Sequence, residues 1–420
     1  MITKQLTLHT SVLFFGQPIP RKGGKGTGLS ASIPRGAEFP LLSLAAASTS
    51  CIILFISSFL ISCSSTPNKK ETQSSDEIKY ATGFKVSNVG NAKLVEIIQP
   101  YQNATTGYQY LLVPKGELAP ANPTNATIIF TPIENIICTS TTHIPLLDYI
   151  NETDKLIGFP TTDYISSTKM RERIDAGFVK ELGIDKGMNV ELVFSLKPSV
   201  VMGYTMTKDL GQLKKIQEAG IPVIINAEYL EKHPLGRAEW IKFMALFFNK
   251  EKLADSVFQK IEKEYITTQQ LTKSVTAKPT VLSGILYGDA WFLPGGKNYA
   301  AKLLEDAGCN YLWAQDSTNG FLQLSFESVY ANAKDADLWI GVGSFASLNE
   351  LKAAEKRYEL FKPFQKSKVY SYNARIGAKG GSEFLELSYL RPDLILKDLV
   401  KIAYPDLLPN YQLYFHKPIN

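Results

Sequence analysis

Histidine and cysteine are scarce in this chain, with four of each in 420 residues. The histidines (His9, His143, His233 and His416) are scattered, with no H-x-x-x-H pair, and no two cysteines share a C-x-x-C spacing. A site for bare zinc or manganese needs several imidazoles, thiolates or carboxylates converging, so no protein-ligated metal is expected. The cysteines are also too few for a disulfide framework; Cys138 and Cys309 are open to being two buried thiols or one disulfide. A G-x-S-x-G elbow and a strand-led dinucleotide fingerprint are both missing, which removes two common enzyme signals. Charge of one sign is lacking as well. The 45 basic and 40 acidic residues nearly balance, and residues 1–62 hold five of the bases and one of the acids. Most of the net +5 therefore belongs to that segment, and nothing points to a nucleic-acid partner.

What residues 1–62 do contain has the order of an export signal: basic residues, an apolar stretch, then small residues. "RKGGKGTG" (Arg21 to Gly28) lacks the spacing and flanking elements of a phosphate loop and reads as basic leader. Cys51 to Ile61 is an 11-residue apolar run broken only by Ser57 and Ser58. As a helix it would span roughly 17 Å, short of a hydrocarbon core of roughly 30 Å. The uncharged region reaches back to Leu41, so a retained membrane anchor is the alternative. The run ends in "LISC", Leu60 to Cys63, which resembles the bacterial lipobox, although Ile61 is larger than usual at its position. That resemblance implies lipidation of Cys63 and cleavage just before it. Several acyl chains anchor a protein firmly without a spanning helix. Residues 63–80 are polar and are expected to form a flexible tether.

Beyond the tether, Phe84 to Val113 alternates polar and apolar residues and predicts antiparallel strands. Then come short, nearly continuous apolar runs: "ATIIF", "IIC", "SVVMG" and "PVII". They alternate with helix-like stretches such as Asp209 to Ala219, which is followed by Gly220 and Pro222. Such runs are strands buried on both faces of a parallel sheet. From Gly236 to about Thr272 no proline or further glycine interrupts an aromatic stripe at helical spacing (Trp240, Phe243, Met244, Phe247, Phe248). This predicts one helix, or two nearly continuous ones, roughly 50 Å long. The rhythm returns in "TVLSGILY", "DLWIGVG" and "KVYSY", with helices over Tyr299 to Ala307 and Phe326 to Ala333. The expected fold is α/β: two α/β lobes with parallel-rich sheets joined by one long interlobe helix. Its parts would be residues 81–233, the helix at 234–272, and residues 273–420.

This order of elements, together with "NIICTSTTHIPLLDYI", "DKLIGFP", "LKPSVVMGY", "PLGRAEWIKFMALFF", "WFLPGGKNYAAKLLEDAGCNYLW", "LSFESVYANAKDADLWIGVG" and "RPDLILKDLVKIAYPDLLP", resembles a family of transport proteins. These are the substrate-binding components of ABC importers for ferric siderophores, haem and cobalamin. The likeness covers roughly residues 125–410, with Cys309 and Ser199 where the family usually has glycine and aspartate. It implies capture of a chelated metal and delivery to a permease and ATPase complex, with no chemistry on the ligand. It also implies a monomer in a bacterial cell envelope, facing the periplasm, with no resident cofactor, since the metal arrives inside the ligand.

In open parallel sheets, ligands sit outside the carboxyl ends of the strands. Those ends nominate Ser140, Thr141, Thr142, His143 and Tyr204 in the first lobe. In the second they nominate Tyr287, Asp289, Trp291, Phe292, Ser344, Phe345, Asn373 and Arg375, the last for pairing with an anionic chelate. The resemblance further implies an acidic permease contact on each lobe: Asp209 and Glu327, with Glu383 and Glu386 as weaker candidates. Two other readings stand beside it: a surface haem or chelate carrier that works without a permease, and a chelate-processing enzyme on a related two-lobed fold.

Overall fold

The structure, a computed structural model, describes residues 78–121, 125–184 and 187–420. The expected leader and lipidation site, residues 1–62 and Cys63, lie outside the described residues, as does most of the expected tether.

Strands β1 (Phe84–Val89), β2 (Ala92–Ile97) and β3 (Tyr108–Pro114) form the expected antiparallel meander. The "ATIIF" run, β4 (Thr127–Thr131), pairs in parallel with β3 and completes this four-stranded sheet, so it does not open the main sheet.

The first lobe's main sheet has the order β7-β6-β5-β8-β9 and is parallel throughout. Its strands are β5 (Ile136–Cys138), β6 (Leu156–Phe159), β7 (Lys180–Glu181), β8 (Val200–Gly203) and β9 (Val223–Ile225). Side chains alternate between two cores. Ile136, Cys138, Val200, Met202 and Ile224 face the large core, while Ile137, Val201, Val223 and Ile225 face a smaller one. Burial on both sides is why these strands carry no polar alternation. Helices α1 (His143–Tyr149), α2 (Thr168–Asp175), α3 (Val190–Leu196) and α4 (Gln212–Glu218) cover the sheet. At Gly203 an added Cβ would lie 2.5 Å from Leu213, which is how closely α4 approaches β8.

Residues 234–272 form two helices, α5 (Pro234–Leu246) and α6 (Glu251–Leu271), of which α6 is the long one, about 30 Å for its 21 residues. They do not run on into a rod of about 50 Å. Asn249 takes a left-handed turn at φ 54°, and the chain folds back. His233, at the start of α5, consequently lies 6.5 Å from the Tyr265 ring near the end of α6. The aromatic stripe runs through the bend because Phe247 and Phe248 are buried there too. Helix α6 does connect the two halves. Glu251 at its start pairs with Lys93 on β2, and Tyr265 near its end donates to Asp306 in the second lobe at 2.6 Å.

The second lobe's sheet has the order β13-β10-β15-β16-β17. Its strands are β10 (Thr280–Ser283), β13 (Asn310–Tyr311), β15 (Leu338–Ile340), β16 (Val369–Ser371) and the antiparallel β17 (Lys417–Pro418). A separate antiparallel sheet is built from β11 (Ile285–Tyr287), β12 (Ala290–Pro294) and β14 (Phe321–Leu324). "TVLSGILY" is thus two strands. Gly284, at φ 78°, breaks them apart where a side chain would strike the Phe292 carbonyl. Helices α7 (Tyr299–Asp306), α8 (Phe326–Ala333), α9 (Leu348–Ala354), α10 (Lys362–Gln365), α11 (Glu383–Leu387) and α12 (Pro392–Ala403) complete the lobe.

The end of the expected tether is held tightly. The buried Glu239 carboxylate accepts the N–H groups of Lys79, Tyr80 and Ala81, and Glu231 accepts those of Thr82 and Gly83. Any free tether therefore stops before Lys79. Among the described residues, no helix is long and apolar enough to cross a membrane.

Candidate functional site

The carboxyl ends of β5 and β9 meet in a knot of small polar side chains. Thr142 Oγ1 donates to the buried Glu228 at 2.5 Å, and Ser140 Oγ lies 2.8 Å from Thr142 Oγ1. His143, the first residue of α1, is fully buried, with Nε2 3.9 Å from Glu228. Burial pushes the His143 imidazole down to about 3, so it stays neutral, and it raises the Glu228 carboxyl above the usual range. Asn226, also fully buried, accepts the Glu228 N–H at 3.1 Å.

The site residues expected from strand ends fall into different situations. Ser140, Thr141 and Thr142 are part-buried at the end of β5, and Tyr204 is part-buried after β8. Tyr287 and Phe292 face each other edge-on at 6.2 Å across the β11–β12 hairpin, whose turn exposes Asp289. Asn373 donates to the Ser344 carbonyl at 2.8 Å, which ties the loops after β15 and β16 together, with Phe345 part-buried alongside. Arg375 is exposed, its guanidinium 4.1 Å over the Tyr414 ring.

Two of the expected contacts are corrected. Trp291 is fully buried: it stacks on Trp339 at 5.4 Å, meets Tyr358 edge-on, and donates to the Ser283 carbonyl. It belongs to the core of the second lobe because strand alternation turns it inward while Phe292 turns out. His143 likewise presents no ring surface to solvent.

The docking acids differ in exposure. Asp209 is exposed and accepts the Gly211 N–H at 2.9 Å. Glu327 is exposed and pairs with Arg357 at 3.2 Å. Glu383 accepts from Tyr414 at 2.5 Å. Glu386 is corrected: it is buried at the seam between the lobes, accepting the N–H groups of Ser166 at 2.6 Å and Ser167 at 2.8 Å. The adjoining turn packs glycine on backbone, since a Cβ on Gly377 would lie 2.7 Å from Ser166 Cα. Arg391 reaches the Tyr149 hydroxyl at 3.0 Å beside it.

Sequence reasoning missed Asn226, Glu228 and Arg237. The first two follow β9 directly and could have been read off its end like the others. Arg237 carried no such signal. Its guanidinium lies 3.8 Å over Tyr299 and 4.1 Å over Tyr389, residues more than 60 positions away, and donates to the carbonyls of Tyr229 and Glu231. Among the described residues, no group of three or more histidines, cysteines or acids could hold a metal ion. Both Cys138 and Cys309 are free and buried.

Residues 136–376 match the family described as Periplasmic binding protein. An uncharacterized lipoprotein of Methanocaldococcus jannaschii is 27% identical over 329 residues, covering 75% of this chain and 77% of its own length. A second uncharacterized lipoprotein of that organism is also 27% identical, over 73% of this chain and 82% of its own. A periplasmic binding protein from Veillonella parvula superposes with a TM-score of 0.53 at 15% identity, covering 79% of this chain and 98% of its own. Helicobacter pylori CeuE with Ni(II) bound gives 0.52 at 16% identity, over 70% and 92%. A possible iron-binding (periplasmic solute-binding) protein from Staphylococcus epidermidis gives 0.51 at 16%, over 65% and 100%. At these identities the solved structures speak for the fold, and the family match covers both lobes. The chain belongs to the periplasmic binding protein family of solute-binding proteins.

Proposed function

We propose that this chain is the lipid-anchored solute-binding component of an ABC importer. It would capture a chelated metal (a ferric siderophore, haem or cobalamin) between its lobes and hand it to a permease and ATPase complex. The observation that carries the reading is the family match over two lobes that meet where the loops after β6 and β16 touch, Ser166 against Gly377 and Glu386. Ligand contacts would come from Ser140, Thr141, Thr142 and Tyr204 on one side. Tyr287, Asp289, Phe292, Ser344, Phe345, Asn373 and Arg375 would supply the other. A chelate brings its own coordination sphere, so the protein needs aromatic faces and hydrogen-bonding groups and no metal ligands of its own. Asp209 and Glu327, both exposed, are the candidate permease contacts.

Lipidation of Cys63 rests on the "LISC" sequence, and relatives named as lipoproteins support it. It would place the body outside the cytoplasm beside its permease. Calorimetric titration of the full chain in detergent with haemin, hydroxocobalamin, a ferric tris-catecholate and zinc chloride tests the binding function. One chelate should bind with a submicromolar Kd and zinc should not. Tight zinc binding with every chelate inert would sink the proposal. For the anchor, Cys63→Ser should release the protein from membranes or leave its leader uncut. An unchanged membrane fraction with normal cleavage would count against lipidation.

A further inference from the structure

The loop after β6 and the loop after β16 touch across the seam, and both leave the carboxyl ends of their strands. That is the side on which such sheets take their ligands. From the second lobe, residues 376–382 make a closed turn, with Ile376 bridged to Ser382. The Gly377 N–H donates to the Gly381 carbonyl at 2.7 Å, and the Gly380 N–H to the Gly377 carbonyl at 2.9 Å. The turn therefore carries its own shape and meets the first lobe as a unit.

Its glycines serve two different needs. Gly380, at φ 93°, needs glycine for the turn itself, whereas Gly377 and Gly381 lie outside the left-handed region. What excludes a side chain at those two positions is the other lobe. A Cβ on Gly381 would lie 2.2 Å from the Tyr164 carbonyl oxygen, and one on Gly377 would lie 2.7 Å from Ser166 Cα. Beside the turn, Glu386 on α11 accepts the N–H groups of Ser166 and Ser167, where α2 begins. Helix starts leave such groups unpaired, and here the cap comes from the opposite lobe. Ser167 also donates its hydroxyl to Asp148 on α1 at 2.5 Å.

These contacts are hydrogen bonds and backbone touches, which water can replace when the faces part. The other join between the lobes is of a different kind. There α12 packs along α6, Arg237 is enclosed between Tyr299 and Tyr389, and the buried Tyr265 bonds Asp306. We propose that the 376–382 turn, together with Glu386, is a latch that closes the cleft by seating on residues 164–167. Solute enters and leaves when this seam parts, while the join at α5, α6 and α12 stays packed. The latch rests on the solute-binding function proposed above and adds which contact closes the site.

Nitroxide labels at Lys169→Cys and Lys379→Cys, both exposed and one on each side of the seam, report the gap in the full chain in detergent. Gly377→Ala and Gly381→Ala leave the turn's own conformation allowed and should each lengthen the distance between labels. Ala378→Ser, on the exposed side of the turn, should leave it unchanged. For exchange, Ser166→Cys with Gly377→Cys puts two thiols at the seam. Their Cβ atoms would lie 3.1 Å apart, within about 1 Å of a disulfide's usual spacing. Cys138 and Cys309 are buried and do not compete. The probes are haemin, hydroxocobalamin and a ferric tris-catecholate. Whichever binds should leave the oxidised double-cysteine protein about ten-fold or more slowly than the reduced one. It should leave Gly377→Ala about ten-fold faster than the wild type. Should either alanine variant fail to fold, the distance in Glu386→Ala and the double cysteine carry the test. An unchanged distance in the folded seam variants overturns the latch, and so does equal exchange by oxidised and reduced protein. If no probe binds, the chelate function falls while the distances alone still decide the latch.

Discussion

The two lobes are built around different interiors. In the second, Trp291, Trp339, Tyr358 and Phe361 pack ring against ring, each 2% exposed or less, and the indole N–H groups of both tryptophans reach carbonyls. In the first, the strand ends converge on threonine, histidine, asparagine and glutamate, and several of their polar atoms lack partners. A packed aromatic core is satisfied by its own contacts and contributes mainly stability. A buried polar knot with unmet hydrogen bonds is costly to keep. The contrast separates a satisfied aromatic interior in the second lobe from a polar strand-end knot in the first.

Removing the aromatic core should have the largest effect on folding. Trp291→Ala is expected to cost about 3–5 kcal/mol of stability, read from chemical denaturation. Ligand affinity of the fraction that remains folded should be unchanged. A large loss of affinity in folded protein would return Trp291 to the binding surface and break the contrast.

Next is the seam. Burial pushes the Glu386 carboxyl up to about 8, outweighing the two backbone N–H groups that favour its charged form. Its stabilising contribution is complete below the unfolded value near 4.5, where both states are protonated. It is lost as pH rises from there through about 8. The wild type should therefore lose up to a few kcal/mol over that window relative to Glu386→Gln. Glu386→Gln should be the less stable form at pH 5, because one backbone N–H then faces an amide NH2. Parallel melting curves for the two proteins from pH 5 to pH 9 would rule this account out.

A smaller change is expected at the join between lobes. Arg237→Lys keeps the charge but loses the flat stacking between Tyr299 and Tyr389 and should cost about 1–2 kcal/mol. An equally stable lysine variant would show that the charge alone matters there.

Much of the fold was legible from residues alone. Buried parallel strands show as unbroken β-branched runs, and "IIC", "SVVMG" and "PVII" all became strands of one sheet. Helix ends were legible where a cap or glycine marks them, as at Phe326 to Ala333, capped by Ser325. What misled was periodicity without direction. The stripe from Trp240 to Phe248 is apolar whether the helix runs straight on or bends, and a bend at Asn249 leaves no gap in it. The same limit applies to Trp291: an aromatic beside a turn looks alike whether it lines a cleft or a core.

The sequence by itself determined the alternation of strands and helices, the two-lobed order and the family likeness. All of these depend on residues near one another in the chain or on composition. Only the tertiary structure decided which strand-end residues share a wall, that Trp291 and Glu386 turn inward, and that Arg237 sits between Tyr299 and Tyr389. Those facts depend on pairs far apart in sequence. Glu228 and Thr142, 86 residues apart and joined by a hydrogen bond, are one such pair.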